Sequence, residues 1–334
     1  MTVSDRFRAA MRGEPVDRLP RVEWAPYWDQ TLERWYTEGL PEGMPRYDVQ
    51  EYLGLDPVYQ LRVSPIGPGA PAPPRHGVGI LEDEAGYEGV LPYLYPDITP
   101  QLEALTELID SRGRESFVLW FTVDGFFWYP RRLFGIQRHF YAFYDHPELM
   151  RRMNADLAAH SIQCLRRVGE ITVPDFVTFA EDMSYNHGPM LSEEMFEEFI
   201  APWYRRVVPV IEEIGSEPIV DSDGDVTEMI PWLQRVGATG VLPLERQAGV
   251  DGMALRRAHP ELIMIGHYDK MVMNRGEEAI RAEFERLLPL MRTGRFIPSV
   301  DHQTPPGVSF GEYQVYLRLL EEYAERGANL SPQA

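Results

Sequence analysis

The chain has 334 residues, 44% of them hydrophobic and 25% charged, which is enough apolar material for a large core in one barrel-type domain or two ordinary ones. Its 52 Asp and Glu outnumber 32 Lys and Arg, a formal charge of −20. That balance repels nucleic acid and anionic membranes, and disfavours a polyanionic substrate unless the site is locally basic. One cysteine, Cys164, excludes an intrachain disulfide and any multi-cysteine metal site, and its place in a helical pattern reads as a small buried apolar residue.

Met1–Gly13 is polar and helical in pattern, unlike a signal peptide, and Phe117–Tyr129, the most apolar stretch, contains Asp124 and is too short to span a bilayer. A cytoplasmic chain with no membrane or nucleic-acid partner is therefore expected. Ser4–Arg12 reads as a short amphipathic helix stopped by Gly13, Arg21–Ala25 as a strand entering Pro26, and Asp29–Thr37 as a helix capped by Asp29. Pro65–Gly77, rich in Pro, Gly and Ala, is a loop. Gly77 and Gly79 offer G-x-G without the third glycine or the strand-to-helix context of a dinucleotide site. Val78–Leu81 and Tyr87–Leu91 flank an acidic turn and read as a β-hairpin.

From Pro100 the rhythm becomes that of alternating helices and short apolar strands. Strands are expected at Phe117–Val123, Phe176–Ala180, into Asp221, at Gly240–Leu244, Ile263–Ile265 and Phe296–Val300, with Tyr59–Val63 as a candidate eighth. The helices between them are expected at Pro100–Ser111, Arg131–Tyr144, Pro147–Val168, Ser192–Ile214, Thr227–Arg235, Asp251–His259, Gly276–Arg292 and Phe310–Ala324. The alternation predicts a parallel sheet covered by helices, and the fold expected is a single (β/α)8 TIM barrel over residues 1–334 with an N-terminal helix and a hairpin insertion.

Strand after strand ends in a charged residue: Asp124, Glu181, Asp182, Asp221, Asp223, Glu245, His267, Asp269 and His302. In a barrel such ends converge on one rim, where active sites sit. The densest stretch is Ile219-Val220-Asp221-Ser222-Asp223-Gly224-Asp225, whose three acids alternate along an extended backbone and so share a face. Like charges that close repel, and a chain accommodates them with water, a cation or a basic substrate among them. A solvated loop closing the strand accounts for the same pattern.

The chain resembles the uroporphyrinogen decarboxylase superfamily in three ordered segments: Arg8-Ala9-Ala10-Met11-Arg12-Gly13-Glu14-Pro15-Val16-Asp17-Arg18-Leu19-Pro20, then Phe179-Ala180-Glu181-Asp182 followed by Gly188-Pro189-Met190-Leu191 and Phe196, then Asp301-His302 with Pro306. The resemblance implies a (β/α)8 barrel with its site in the C-terminal mouth. It also implies one of two chemistries: decarboxylation of a porphyrinogen, or zinc-dependent methyl transfer between a small molecule and a corrinoid protein. The decarboxylases' arginine-bearing R-Q-A-G-R-Y run is Ala25-Pro26-Tyr27-Trp28-Asp29 here, with both arginines missing. Uroporphyrinogen is therefore not the expected substrate. The methyltransferases' H-x-C zinc pair falls at Asp221-Ser222-Asp223, and their later cysteine falls at His302.

The resemblance accordingly implies Zn²⁺ held by Asp221, Asp223 and His302, with Glu245 or Glu181 completing the shell. This oxygen/nitrogen set suits polarising an ether oxygen better than activating a thiol. Catalytic roles fall to His302, Asp223, Glu181 and Asp182, and substrate contacts to Trp24, Tyr27, Asp124, Tyr185, His187, Arg246 and His267. The expected activity is methyl transfer from a methoxylated small molecule to a corrinoid on a separate protein. The alternatives are a decarboxylase of a carboxylated substrate and a non-catalytic binding barrel. A homodimer is expected from the superfamily.

Overall fold

The computed structural model describes residues 1–25 and 27–328, so Pro26, which the expected strand at Arg21–Ala25 enters, lies outside the described residues. Nine strands occur among the described residues, in chain order: β1 (Val58–Val63), β2 (Val118–Asp124), β3 (Phe176–Ala180), β4 (Ser184–Tyr185), β5 (Gly188–Pro189), β6 (Glu217–Asp221), β7 (Gly240–Leu242), β8 (Ile263–Tyr268) and β9 (Phe296–Val300). Seven form one parallel, curled sheet in the order β1-β2-β3-β6-β7-β8-β9, and β4 and β5 make a small antiparallel hairpin. The candidate strand at Tyr59–Val63 is β1. Strands β2 and β9 are buried along their whole length, as expected where helices cover a parallel sheet. Among the described residues no helix is long and apolar enough to cross a membrane.

Four expectations are corrected or refined. The sheet is neither eight-stranded nor closed by a ladder, because Arg21–Ala25 is not a strand. It nevertheless lies between the two sheet edges and is tied to both by side chains. Gln50 donates to Glu23 O (3.3 Å) and accepts from Val58 N (2.8 Å), while Ser299 Oγ meets Trp24 N (3.4 Å) and Glu23 Oε2 (3.0 Å). Apart from Asp56 N donating to Arg21 O (2.8 Å), amide and hydroxyl side chains take the place of backbone partners, so the segment runs beside the sheet without joining its ladder.

The hairpin at Val78–Leu91 is absent. Glu84–Val90 is a helix capped by Asp83, and Val78 bridges Gly135 instead. The single helix expected over Arg131–Tyr144 is two, Trp128–Phe134 and Ile136–Asp145, separated by Gly135 at φ 81°. The helix expected over Ser192–Ile214 carries a π turn at Phe196–Ile200.

One buried apolar cluster runs from Phe7 to Ala324. The N-terminal helix Val3–Arg12 seals the end of the sheet where the strands begin. Its Phe7 stacks on Phe176 (5.4 Å), and Phe176 stacks on Trp120 (5.6 Å). At the other end, parallel register sets Asp124, Ala180, Asp221 and Leu242 on one rung. That register delivers the acids of consecutive strand ends to a single mouth.

Candidate functional site

The loop after β6 builds the centre of the mouth. Ser222 Oγ accepts from Met183 N (3.1 Å), and Ser184 Oγ donates to Asp223 O (2.5 Å). Gly224 takes φ 84° against the backbone of Tyr185, where an added Cβ would come within 2.6 Å of Tyr185 Cα, so only glycine fits. These ties lock the hairpin to the loop and hold Asp182, Asp221 and Asp223 together. Asp182 itself sits at φ 44°, a conformation most L-residues avoid.

His302 Nε2 lies 3.5 Å from Asp223 Oδ2, with the two side chains 31% and 40% exposed. The Asp223 carboxylate raises the His302 pKa, favouring the imidazolium. Burial, then repulsion from Asp223, pushes Asp182 up to about 6. Burial, then Asp182 and Asp223, holds Asp221 well above the ordinary carboxylate range. Both acids keep a little exposure to the mouth although protein surrounds them. The cluster therefore sets carboxyls whose pKa values lie above the ordinary range beside a histidine that is readily charged.

The other expected site residues divide. Trp24 backs His302 edge-on at 6.4 Å while donating to Val300 O (2.6 Å). Tyr27 meets Tyr313 hydroxyl to hydroxyl (2.9 Å). Tyr185, 49% exposed, packs edge-on against His187 (5.7 Å) on the hairpin at the rim. Asp124 is buried and holds Arg132, with Arg62 3.6 Å away.

Three expected residues turn away from the mouth. Glu181 accepts from Phe126 N (2.9 Å), Phe127 N (2.8 Å) and Tyr204 Oη (2.9 Å), and burial raises it to about 7. It satisfies backbone donors beyond β2 and is not placed to touch a substrate. His267 is buried between Leu244 O (2.9 Å) and Gly252 N (3.1 Å). It is held down at about 4 by burial, a neutral ring with both nitrogens in use. Arg246 Nη1 donates to Val250 O (2.6 Å) within its own loop.

The metal set expected from the resemblance does not assemble. Glu245 accepts from Gly224 N (3.1 Å) and lies 3.8 Å from Lys270 Nζ, while His302 meets Asp223. Among the described residues, no three His, Cys, Asp or Glu side chains group so as to hold a metal ion. Zinc and chelator are accordingly expected to leave the thermal midpoint of the purified protein unchanged. A zinc-dependent rise, which linkage demands of any site that binds the folded state, would establish the metal centre instead.

Lys270 was legible and missed. It is the only lysine in the chain, all other basic side chains among the 32 Lys and Arg being arginine, and it stands at this mouth. Its Nζ donates to Gln247 Oε1 (2.7 Å) and Asp301 Oδ1 (3.2 Å) and lies 3.8 Å from Glu245. A compact ammonium fits among three acceptors where a planar guanidinium does not. Lys270→Arg is therefore expected to destabilise by about 1–3 kcal/mol through overpacking despite conserving charge, read from urea midpoints.

The fold has solved relatives. A methyltransferase from Methanosarcina mazei superposes with a TM-score of 0.69 at 16% identity, covering 97% of this chain and 99% of its own. A mannanase from Bacillus subtilis superposes with a TM-score of 0.51 at 9% identity, covering 94% and 92%. At these identities the likeness is one of fold alone. No curated protein matches the chain. The uroporphyrinogen decarboxylase (URO-D) family model matches residues 133–323, which carry β3 to β9 and every member of the Asp182–Asp221–Asp223–His302 cluster. The match takes in more than half of the sequence, and the chain belongs to the URO-D family.

Proposed function

We propose that the protein is an enzyme that moves a methyl group from a methoxylated small molecule to a corrinoid carried by a separate protein, with protein acids assisting the departing oxygen. The observation that carries this reading is the cluster of Asp182, Asp221 and Asp223 against His302 at the mouth. Demethylation of an ether leaves the electron pair of the C–O bond on oxygen, and that oxygen needs a proton. A reduced corrinoid, when docked, supplies the nucleophile for the methyl group. Asp182, protonated below about pH 6, gives its proton to the oxygen as the C–O bond breaks. The His302–Asp223 pair stands beside it to restore that proton. The exposed Tyr185 and His187, packed edge-on, offer an aromatic rim for the partner. A protein acid in this role replaces the Lewis acid that a metal-bearing relative would use.

The test is to incubate the protein with a methoxylated aromatic and reduced cobalamin, following methylcobalamin by absorbance and the free hydroxyl product by mass spectrometry, with and without chelator. Both products are expected, chelator making no difference. Carbon dioxide release from a carboxylated substrate with no methyl transfer would favour the decarboxylase reading, for which the same acids would protonate a carbanion.

A further inference from the structure

A cavity of about 610 Å³ lies between the loop after β1 and the helix after β2, on the mouth side of the sheet. That volume is within the range that holds a small organic ligand. Ile66, Val78, Ile136 and Trp128 give it apolar walls. Arg75, Arg131 and Arg132 also line it, a cationic lining in a chain of charge −20.

The cavity is a built feature. Its floor is the 77–81 loop laid on residues 133–136 by Ile80 N to Leu133 O (2.7 Å), Leu81 N to Leu133 O (3.0 Å) and Ile136 N to Gly77 O (3.0 Å). Gly79 and Gly135 bring the two backbones so close that a Cβ on Gly79 would come within 2.1 Å of Phe134 C, which is the use this chain makes of its G-x-G.

The arginines are not equivalent. Arg132 is committed to Asp124. Arg131 lies 5.2 Å over the Trp128 ring and donates to the Asp182 carbonyl (3.4 Å), so one guanidinium joins the cavity to the acid cluster. The Arg75 side chain is exposed and has no hydrogen-bond or ion-pair partner among the described residues. Arg75 therefore presents charge that no carboxylate among the described residues pairs with, and Arg131, whose field also reaches the Asp182 carboxyl, pairs directly with none of them.

We infer that this cavity takes a carboxylate-bearing, ring-containing substrate, the carboxylate on Arg75 and Arg131 and the flat apolar body on Trp128. Guanidinium groups match a carboxylate's two oxygens, and the Trp128 face offers area to a ring. The placement turns the rest of the molecule past Arg131 toward Asp182. The inference rests on the proposed demethylation for the identity of the reacting group, and not for the anion.

The experiment is calorimetric binding of 4-methoxybenzoate and its neutral analogue 4-methoxybenzamide to wild type, Arg75→Ala, Arg131→Met and Asp182→Asn, without corrinoid. Wild type is expected to prefer the acid by about tenfold or more, as charge-assisted hydrogen bonds require. Both arginine variants should lose that preference while binding the amide unchanged, and Asp182→Asn should retain it. Arg75 is exposed, so its variant keeps the test open should Arg131→Met fold poorly. Equal binding of acid and amide by wild type overturns the inference, as does displacement of the acid by equimolar inorganic phosphate, which would mark an unselective anion cleft. Retained selectivity with no demethylation in any assay would instead overturn the proposed reaction and leave the site standing.

Discussion

Asp182→Asn is expected to lower kcat for methyl release by about 10²–10⁴, the usual contribution of a positioned general acid, with little change in KM. The wild-type rate should be highest below about pH 6 and fall above it, because the acid must carry its proton and burial beside Asp223 holds its pKa there. The variant should lose that descending limb. Stability should move the other way. A carboxyl whose folded pKa is raised above its unfolded value binds protons more tightly in the native state, so the stability it lends is present at low pH and lost as pH rises through about 6. An asparagine cannot ionise, and Asp182→Asn should therefore melt above wild type at pH 7 while being far less active. A residue that only supports the fold would lose both, so a lower midpoint at pH 7, or an unaltered pH profile, removes Asp182 from the chemistry.

That opposition between stability and activity is what made part of the site readable in advance. Acids at alternating positions after β6 serve no core, and parallel register had to bring them beside the ends of neighbouring strands. Alternation likewise reveals most of the strands and helices. What it does not reveal is the partner of each charge. Glu181 follows β3 as Asp182 does, yet one side chain caps buried backbone donors and the other reaches the mouth, a difference set by Gly125 and Tyr204 from distant segments. His267 ends a strand as His302 follows one, but the backbone of Leu244 and Gly252 encloses it.

The segment Arg21–Ala25 has a strand's composition, and its lack of ladder bonds depends on Gln50 and Ser299, far away in sequence. The cationic cavity was hidden for the same reason. Arg75 lies in a Pro-rich loop and Arg131 on a helix expected to be continuous, and the Gly79–Gly135 contact that joins them is purely tertiary. Lys270 is the opposite case, since its singularity is plain in the sequence before any coordinates are known.

The largest loss of stability should come from the end of the sheet away from the mouth. Asp175, just before β3, is buried. Its Oδ1 accepts from Ser4 Oγ (2.6 Å) and pairs with Arg8 Nε (2.6 Å), and its Oδ2 accepts from Leu119 N (2.6 Å) and Arg114 Nη2 (2.9 Å). One carboxylate therefore fastens the N-terminal helix, the turn before β2 and the start of β3 to one another. Asp175→Ala would leave a buried amide and two largely covered guanidinium groups without their acceptor. Breaking such a pair from one side costs about 3–5 kcal/mol, because the remaining charge has already lost its water.

Asp175→Asn keeps one acceptor oxygen for Leu119 N and one arginine, and should lose clearly less. Because the residue lies at the strands' N-terminal end, where barrel-like sheets keep their stabilising contacts, kcat of the folded fraction should be unchanged in both variants. Denaturant midpoints with activity at a temperature well below melting separate the two effects. A drop in kcat without loss of stability would place this end of the sheet in the reaction, which no contact among the described residues supports.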